Sequence, residues 1–526
     1  MGKPITIRFD QGIQYPPKLG TLILKKTSNG KLAYAQNLNS ASDEYGIGAA
    51  TPGPFLRTLA NQNKLTGVPW LRKYFRAFPV TDGFLYYVQG LRGNKQATLN
   101  RVKQVVSGQT PEIDTAIAGG LGADISTFFS PHNGHTNVRI VEMEFRPDSN
   151  GNYYLYISLT DDTDCWIVKM DIGSGGLSTS IVATNGNFTG GFTAMFPVLG
   201  ADNNIYWIGK NRVSVIDTSD VYTVFGLQNG LPLGTYASCG IDWNNQLVVA
   251  YSSEAFGDFS ARLTGGSSGI ILWDYVNANY NKKVPAPCRY ISALVTDPNG
   301  NLLCFGGRDE GKSSIYEFTG YGFNLLYTYI GDLPRNRHAI EFDSEGRIVW
   351  QTADGQICRY DRNRQVFDHL GTMPTDQSTG GLLAKGIGFP AGNEFFAGSG
   401  DTNGYYLSAV DFANFNGDES GQGASASMGV AGIIDVPDDT TIASINWHLN
   451  RPLREGEKIV GLIYENGNDT PTESVVMDFA VDGAITSKKT TDPIPEINNF
   501  ALGFVWKMPD GNPTAPPITS ADVETA

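Results

Sequence analysis

The stretch between residues 290 and 370 contains nearly the same pattern twice. The first copy is Ile291-Ser-Ala-Leu-Val-Thr-Asp297-Pro-Asn-Gly300-Asn-Leu-Leu-Cys304, and the second is His338-Ala-Ile-Glu-Phe-Asp343-Ser-Glu-Gly346-Arg-Ile-Val-Trp350. Each copy consists of an alternating apolar strand, an Asp-x-x-Gly turn and a second apolar strand. A third strand, which carries an aromatic residue beside an acidic one, follows at 315–318 and at 357–361. The pattern predicts antiparallel strands joined by tight turns.

The residue types at the turn positions have a physical reason. An Asp side chain can accept hydrogen bonds from the turn backbone, and a Gly adopts the positive φ that such a turn requires. We therefore assign turn-forming roles to Asp297 and Gly300, to Asp343 and Gly346, and to the pair Asp148 and Gly151 in a further copy.

Weaker copies of the unit extend the repeat in both directions. They are found at 81–87, 144–171, 202–217, 242–274 and 392–411, which makes seven copies between about residue 79 and residue 415. Asp297 and Asp343 are 46 residues apart, the length of one four-stranded propeller blade. The sequence thus predicts an all-β protein with a seven-bladed β-propeller, with eight blades as an alternative. A set of ordinary hairpins in a sandwich is the competing interpretation.

The rest of the chain divides by composition. Residues 1–78 precede the repeats and include a hairpin signal at Ser28-Asn29-Gly30, so we expect an extra hairpin, a ring-closing strand or a partner-docking segment there. The propeller is assigned to 79–415 and a Gly- and Ser-rich linker to 416–425. Four strand-like runs in 426–512 predict a small β-sandwich, and 513–526 is expected to be an extended tail.

Charge and cysteine content narrow the function classes. The formal net charge of −14 argues against general nucleic-acid or anionic-membrane binding. No stretch is long and apolar enough for a signal peptide or a membrane span. The five cysteines are far apart in the chain and flanked by apolar residues, so they are interpreted as small buried hydrophobes. Charged residues make up only 17% of the chain, which is typical of proteins that act outside cells or pack against many neighbours.

No catalytic, metal or cofactor site is predicted. His132 and His135 lack a third ligand nearby, and the run from Asp161 to Asp164 lacks the spacing of a calcium loop. The turns also fail the pattern of sialidase-type propellers, which requires a Ser or Thr two residues before the Asp, then a Gly and then an aromatic residue. Serine nucleophile elbows, Cys-His pairs and nucleotide loops are not found.

Two aromatic groups are candidate partner-binding residues. Trp70, Arg72, Tyr74 and Phe75 lie in a segment that mixes cations with aromatic rings. The alternative for that segment is a half-buried element whose cations extend to solvent. In the C-terminal part, Trp447 and Trp506 are two of many aromatic residues. We expect some of these aromatic side chains to contact a neighbouring protein.

These properties together resemble those of β-propeller structural proteins of tailed bacteriophages, of the tail nozzle, hub or adaptor type. The resemblance is at the level of the fold and transfers no site residues. It implies a non-enzymatic virion protein, made in the host cytoplasm, whose partners are other virion proteins in a symmetric ring or homo-oligomer. A propeller that binds or hydrolyses host-surface glycans and an intracellular propeller scaffold are the alternatives.

If the protein assembles in a reducing cytoplasm, all five cysteines should remain thiols. Titration with a thiol reagent, after denaturation without reductant, should therefore count five free groups. A count of three or fewer would reveal a disulfide and contradict cytoplasmic assembly.

Overall fold

The structure is a computed structural model, and it consists almost entirely of β-strands. It describes residues 4–9, 24–27, 32–36, 38–39, 48–49, 55–58, 78–79, 84–90, 97–103, 112–113, 123–124, 139–150, 153–160, 165–171, 179–183, 196–208, 213–225, 231, 235–253, 267–277, 279–307, 312–334, 337–343, 345–352, 356–372, 383–385, 394–401, 404–411, 427–490, 492–506 and 518–526.

Five short strands lie in the N-terminal segment. They are β1 (Ile5–Arg8), β2 (Leu32–Gln36), β3 (Leu38–Asn39), β4 (Gly48–Ala49) and β5 (Phe55–Thr58). Only β3 and β4 pair with each other, so the other three complete sheets that belong to later parts of the chain.

Seven antiparallel sheets of four or five strands follow one another along the described chain. Sheet 1 contains β6 (Phe78–Pro79), β7 (Phe84–Gly90), β8 (Ala97–Lys103), β9 (Glu112–Ile113) and β10 (Ala123–Asp124). Sheet 2 contains β11 (Arg139–Pro147), β12 (Tyr153–Thr160), β13 (Cys165–Asp171) and β14 (Thr179–Ala183). Sheet 3 contains β15 (Phe196–Leu199), β16 (Ile205–Ile208), β17 (Val213–Ile216) and β18 (Tyr222–Phe225).

The remaining four sheets repeat this plan. Sheet 4 contains β19 (Tyr236–Trp243), β20 (Gln246–Ser252), β21 (Ser268–Trp273) and β22 (Lys282–Pro285). Sheet 5 contains β23 (Tyr290–Thr296), β24 (Leu302–Gly307), β25 (Lys312–Phe318) and β26 (Phe323–Ile330). Sheet 6 contains β27 (Ile340–Phe342), β28 (Ile348–Gln351), β29 (Gln356–Asp361) and β30 (Val366–Thr372). Sheet 7 contains β31 (Leu383–Lys385), β32 (Glu394–Asp401) and β33 (Gly404–Asp411), with β5 as its fourth strand.

The middle strands of these sheets are buried on both faces. Every residue of β21 and of β24 is buried, as is every residue of β28. A sheet with two apolar faces needs a neighbour on each side. The first strands of sheets 2, 3, 4 and 5 contact one another in succession, as do those of sheets 6 and 7. This arrangement, with first strands innermost, confirms the propeller fold, while the number of blades stays a prediction.

The last sheet of the propeller is completed by the N-terminal segment. Phe55 pairs with Asp411 and Thr58 pairs with Ser408, so β5 lies on the outer side of β33. The hairpin signal at residues 28–30 pointed to this segment as a source of a closing strand, and the strand that completes sheet 7 lies further along, at 55–58.

The C-terminal part forms a nine-stranded β-structure with β1 and β2. Its own elements are β34 (Ser427–Ala431), β35 (Ile434–Leu449), β36 (Lys458–Glu465), β37 (Thr472–Asp478), α1 (Phe479–Asp482), β38 (Ser487–Lys489), β39 (Ile494–Trp506) and β40 (Ile518–Thr525). The second half of β39 lies between β34 and β36, and the second half of β35 lies between β38 and β40. The first halves of the two long strands pair with each other and join the layers.

The structure differs from the sequence-based prediction at two boundaries of this domain. Residues 518–525 are not a tail outside the sandwich, because β40 pairs with β35 and β1 and buries Ile518, Ala521 and Val523. Ala521 and Val523 alternate with polar residues, and a register shift between His448 and Leu449 lets Ile518 be buried as well, so the segment joins the sheet. β2 also pairs with β34, so residues 1–78 contribute to both the propeller and the sandwich. The expected linker at 416–425 lies outside the described residues.

One hydrophobic cluster runs from the propeller into the C-terminal sandwich. It contains Trp350 and Phe367 of sheet 6 together with Phe9, Trp447 and Phe504. β30 of sheet 6 also contacts β2 and β3. The two parts of the chain therefore share apolar packing, which stabilises their relative position.

His369 lies in β30, opposite Cys358 of β29. Its side chain is buried, and neither ring nitrogen has a hydrogen-bond partner within the part of the chain that the structure describes. Burial lowers the pKa of His369 from 6.5 to about 4. The folded protein therefore holds this imidazole neutral at pH values where the unfolded chain protonates it.

Replacing Gly346 with Val should destabilise the protein by about 1–3 kcal/mol, because a β-branched side chain is strained at positive φ. The φ of Gly346 is +75°, and no atom lies within 4 Å of the position that a Cβ would occupy. Gly322 occupies similarly open space without a positive φ. Gly322→Val is therefore the matched control, and equal melting temperatures for the two variants would contradict the strain argument.

The protein should lose stability as the pH falls below 6.5, because the unfolded state binds a proton that His369 in the folded state does not bind above about pH 4. Between pH 7.5 and 4.5 this one group accounts for a loss of about 2–3 kcal/mol. His369→Gln removes the titration, so its melting temperature should fall less than that of the wild type over this range. Parallel pH profiles of the two proteins would rule the mechanism out.

Candidate functional site: the turn face of the propeller

The turns between first and second strands and between third and fourth strands lie on the same face of a propeller, because successive strands are antiparallel. We call this face the turn face. It carries five of the six turn-forming residues that the sequence predicts, and the sixth, Gly151, lies outside the described residues. It also carries a second set of turns, after the third strand, whose first residues are Asp217, Asp274 and Asp361.

The predicted Asp-x-x-Gly turns have nearly the same geometry in sheets 5 and 6. Asp297 Oδ1 accepts hydrogen bonds from the backbone N–H groups of Asn299 and Asn301, at 2.9 and 2.8 Å. The N–H of Gly300 donates to the carbonyl of Asp297 at 2.9 Å, and the φ of Gly300 is +86°. Asp343 accepts in the same way from Glu345 and Arg347, and Gly346 takes the position of Gly300. The carboxylates hold the turns together.

The copy in sheet 2 is described in part. Asp148 Oδ1 accepts from the N–H of Asn150 at 2.8 Å, and Gly151 lies outside the described residues. We call the turns between third and fourth strands the outer turns. There, too, an Asp carboxylate accepts hydrogen bonds from the turn backbone, as Asp217 and Asp274 show. Asp217 Oδ1 accepts from the N–H groups of Ser219 and Val221, both at 2.8 Å. The backbone N–H of Asn277, followed by the amide of Asn281, lowers the pKa of Asp274 below its usual range.

An ion-pair network joins sheets 2 and 3 at this face. The buried Arg146 of β11 donates to Asp220 Oδ1 and to the carbonyl of Asp217, each at 2.7 Å. Lys169 and Tyr156 also donate to Asp220, each at 2.5 Å. Burial raises the pKa of Asp220, but the hydrogen bonds from Lys169 and Tyr156 outweigh it and keep the pKa below its usual value. The network fixes the outer turn of one blade to the inner strand of the next.

Side-chain contacts also connect sheet 4 to sheet 5 and sheet 5 to sheet 6. Trp243 Nε1 of sheet 4 donates to the carbonyl of Gly300 in sheet 5 at 2.9 Å. Lys282 Nζ of sheet 4 lies 4.0 Å from the ring centre of Tyr321 in sheet 5. Arg362 of sheet 6 pairs with Glu317 of sheet 5 at 2.7 Å. Side chains on the turn face thus connect sheet 2 to sheet 3, sheet 4 to sheet 5 and sheet 5 to sheet 6, with a charged group at each of these boundaries.

Sheets 3 and 4 are the exception. Tyr206 donates to Asp202 Oδ2 at 2.6 Å, and Tyr275 donates to Asp242. The two phenol rings lie 4.5 Å apart, across the boundary between the sheets. Burial, and then the hydrogen bond to a carboxylate, raises the pKa of each phenol, so both remain neutral donors.

Four carboxylates of these two sheets form no ion pair with a described cation, whereas Asp220 of sheet 3 pairs with Arg146 and Lys169. Asp202, Asp217, Asp242 and Asp274 hydrogen-bond to backbone N–H groups, amides or phenols, and none forms an ion pair within the described ranges. Val276 lies two residues after Asp274, and its side chain is 82% exposed. We call these four carboxylates and Val276 the acidic tip surface.

Exposed apolar side chains recur at the outer turns of three successive sheets. Val221 of sheet 3 is 55% exposed, Val276 of sheet 4 is 82% exposed, and Tyr321 of sheet 5 is 87% exposed. Single exposed apolar residues are ordinary, but their recurrence at equivalent turns gives this face a repeated apolar feature. The repeat pattern of the sequence predicts where the third strands end, but it does not predict that the side chains after them are exposed.

An ion pair connects sheets 2 and 6, which are not neighbours along the chain. Arg337 lies in a 3₁₀ helix, Arg337–Ala339, immediately before β27 of sheet 6. Its guanidinium pairs with Glu144 of sheet 2 at 2.7 Å and donates to the carbonyls of Pro197 in sheet 3 and Gly240 in sheet 4, at 3.4 and 3.5 Å. Glu144 is buried and Arg337 nearly so. The innermost strands of three blades are thus connected to a fourth blade on the opposite side.

Trp447, which the sequence assigned to partner binding, is instead a core residue. It is fully buried, stacks on Phe9 at 6.0 Å between ring centres, and donates through Nε1 to Ser474 Oγ at 3.2 Å. A side chain at Gly461 would collide with it. The reason is that N-terminal residues complete this core, which sequence periodicity does not show. Trp506 pairs with Ser427 and Ile459 in β39, and Trp70, Arg72, Tyr74 and Phe75 lie outside the described residues.

The remaining candidate residues are those that the sequence analysis considered as metal ligands. His132, His135 and the run from Asp161 to Asp164 lie outside the described residues. Among the residues that are described, no group of three or more His, Cys, Asp or Glu side chains is arranged to hold a metal ion. No described helix has the length and apolarity of a membrane span.

The cysteines are closer in space than in sequence. Cys239, Cys288 and Cys304 belong to one buried cluster between sheets 4 and 5. Burial, and then the neighbouring Cys288, raises the pKa of the Cys304 thiol well above its usual value. A thiol with a raised pKa is a poor nucleophile.

No protein-family model matches the chain, and no curated protein sequence matches it. Solved structures that resemble it are β-propellers of low sequence identity. The WD40 β-propeller domain of Doa1 is 13% identical with a TM-score of 0.41, over 67% of this chain and 96% of that chain. The Dos1 propeller is 13% identical with a TM-score of 0.43, over 72% and 94%. The extracellular domain of a one-component system from B. thetaiotaomicron is 12% identical with a TM-score of 0.40, over 69% of this chain and 40% of that chain. At these identities the likeness concerns the fold alone.

Arg337→Met should lower stability by about 3–5 kcal/mol, because it leaves the buried Glu144 carboxylate without its guanidinium partner. The double variant Glu144→Gln/Arg337→Met should lose less than the single variant, because no buried charge remains. Melting temperatures of the two variants and of Glu144→Gln complete the cycle. If the double variant is as unstable as the sum of the two single variants, the two side chains are not coupled across the axis.

Proposed function

We propose that this protein is a non-enzymatic structural component of a larger protein assembly, and that the turn face of its propeller packs against neighbouring proteins. The observation that carries the proposal is the contrast on the turn face. Charged groups at the boundaries between sheets 2 and 3, sheets 4 and 5, and sheets 5 and 6 make intramolecular contacts, whereas apolar side chains at three successive outer turns are exposed. Such a face offers contact area to a partner, and its described residues present no arranged acid, base or nucleophile to a substrate.

The axial region supports the same proposal. Propellers enclose a central channel, and a concave site near the axis is where a small-molecule ligand would be expected. Here the Arg337 guanidinium and the Glu144 carboxylate meet among the innermost strands. Because the two opposite charges neutralise each other, this pair offers a ligand no free charge for recognition.

Within this class, we propose a virion protein of a tailed phage, located in the tail or next to the portal. The support is the low proportion of charged residues, the net charge of −14 and the combination of a propeller with a small sandwich. A chain of this kind would be assembled in the host cytoplasm and would contact other virion proteins in a ring.

The proposal is tested by the protein composition of particles. Particles purified from cells that express the gene from its native locus should contain this protein at a fixed ratio to the major capsid protein, measured by quantitative mass spectrometry. A protein found only free in the lysate would contradict the virion role. Hydrolysis of host glycans by the purified chain would contradict the non-enzymatic role and favour the glycan-acting alternative.

A further inference from the structure

Two buried cysteine thiols lie side by side where the chain passes from sheet 4 to sheet 5. Cys288 lies in the connection between β22, the last strand of sheet 4, and β23, the first strand of sheet 5. Cys304 lies in β24, which pairs with β23. Both side chains belong to the buried apolar cluster between the two sheets. The Cys288 thiol lies within hydrogen-bonding reach of the Cys304 thiol.

The contact with Gly306 locates the Cys288 sulfur independently. Gly306 follows Cys304 by two residues in β24, so the two residues present the same face of the sheet. A Cβ at Gly306 would collide with Cys288 Sγ, so this sulfur lies on the face that carries the Cys304 side chain. From sheet 4, Ser268 Oγ donates to the carbonyl of Cys288 at 2.7 Å and lies 3.4 Å from Cys288 Sγ. The connection is thus fixed with its thiol directed at β24.

The surroundings of the two thiols make their reaction slow without closing it off. Both side chains are buried, and a thiol that stays protonated is a poor nucleophile. The connection that carries Cys288 nevertheless runs along the surface, because Pro287 before it is exposed and Arg289 after it is half-buried. Local opening of this connection exposes Cys288 while the strands of both sheets stay paired.

We propose that Cys288 and Cys304 form a disulfide when the protein passes from the reducing cytoplasm into an oxidising medium. The oxidant is a small-molecule disulfide. The Cys288 thiolate attacks one of its sulfurs and displaces the other as a thiolate, and the Cys304 thiolate then attacks Cys288 Sγ and displaces the second. The two protein thiols lose two electrons and two protons, and the small disulfide takes them up as two thiols.

The disulfide would stabilise the propeller after assembly. It closes a covalent loop from residue 288 to residue 304, which contains β23 and the turn at Asp297. Such a loop restricts the unfolded chain, and it fastens the connection between two blades to a middle strand of the second. The five thiols expected in the cytoplasm are unaffected, because oxidation follows release. The inference rests on the proposed virion function, since a virion protein is made inside the cell and acts outside it.

Peptide mapping tests the pair directly. Reduced full-length protein is incubated under native conditions with oxidised glutathione, the remaining thiols are alkylated, and tryptic peptides are identified by mass spectrometry. Trypsin cleaves after Lys283, Arg289 and Arg308, so Cys288 and Cys304 fall in separate peptides, 284–289 and 290–308. The wild type should lose two of its five thiols and yield these two peptides joined. Dithiothreitol should separate them and restore all five thiols.

Cysteine variants assign the pair and measure its effect. Cys288→Ala and Cys304→Ala should each keep all of their remaining thiols under the same oxidation. Cys239→Ala is the matched control, because Cys239 belongs to the same buried cluster, and it should lose two thiols as the wild type does. Oxidation should raise the urea midpoint of the wild type and of Cys239→Ala but leave that of Cys288→Ala unchanged. Melting temperatures under reducing conditions verify that each variant folds.

The outcomes separate this site from the general function. If the oxidised wild type keeps five thiols, or if the joined peptides contain another cysteine, the assignment is overturned, and the protein can still be present in particles at a fixed ratio. Released particles should contain the joined peptides, and particles with only the separate peptides would overturn oxidation on release. If the purified chain forms the disulfide but the protein is missing from particles, the virion role fails and the redox site remains.

Discussion

The structure depends on the mutual covering of sheets that are apolar on both faces. A strand such as β24, all of whose residues are buried, has no stable arrangement as part of an isolated hairpin. It needs a sheet on each side, and only a closed circular arrangement gives every sheet two neighbours. Closure therefore determines the stability of the whole propeller, and the strand that completes the last sheet, β5, comes from the opposite end of the chain.

The N-terminal segment has consequences for both parts of the molecule. Its strands β1 and β2 lie in the C-terminal sandwich, while β5 lies in the propeller. Phe9, which follows β1, packs between Trp447 and Phe504 in the sandwich core. Loss of this segment would open the propeller and remove part of a core at the same time. The shared cluster that includes Trp350, Phe367 and Trp447 gives the same coupling through side chains.

The local chemistry of the repeats could be predicted from sequence, and the long-range pairing could not. Asp297, Gly300, Asp343 and Gly346 have turn geometry that follows from residue type and spacing. The roles of β1, β2, β5 and β40 depend on partners hundreds of residues away, which periodicity does not reveal. The sequence predicts that Trp447 contacts a partner, because Phe9, which covers it in the folded protein, is far from it in the chain. Arg337 and Glu144 are 193 residues apart in the sequence, and no local sequence pattern predicts that they pair.

The turn face, with its exposed side chains at three successive outer turns, is proposed to be an interface between proteins in an assembly. A cryo-electron-microscopy reconstruction of the assembled full-length protein tests it most directly. We predict that density of a neighbouring chain lies against Val276 and the outer turns of sheets 3 and 4. A reconstruction in which these turns face solvent, with neighbours bound only elsewhere, would contradict the account.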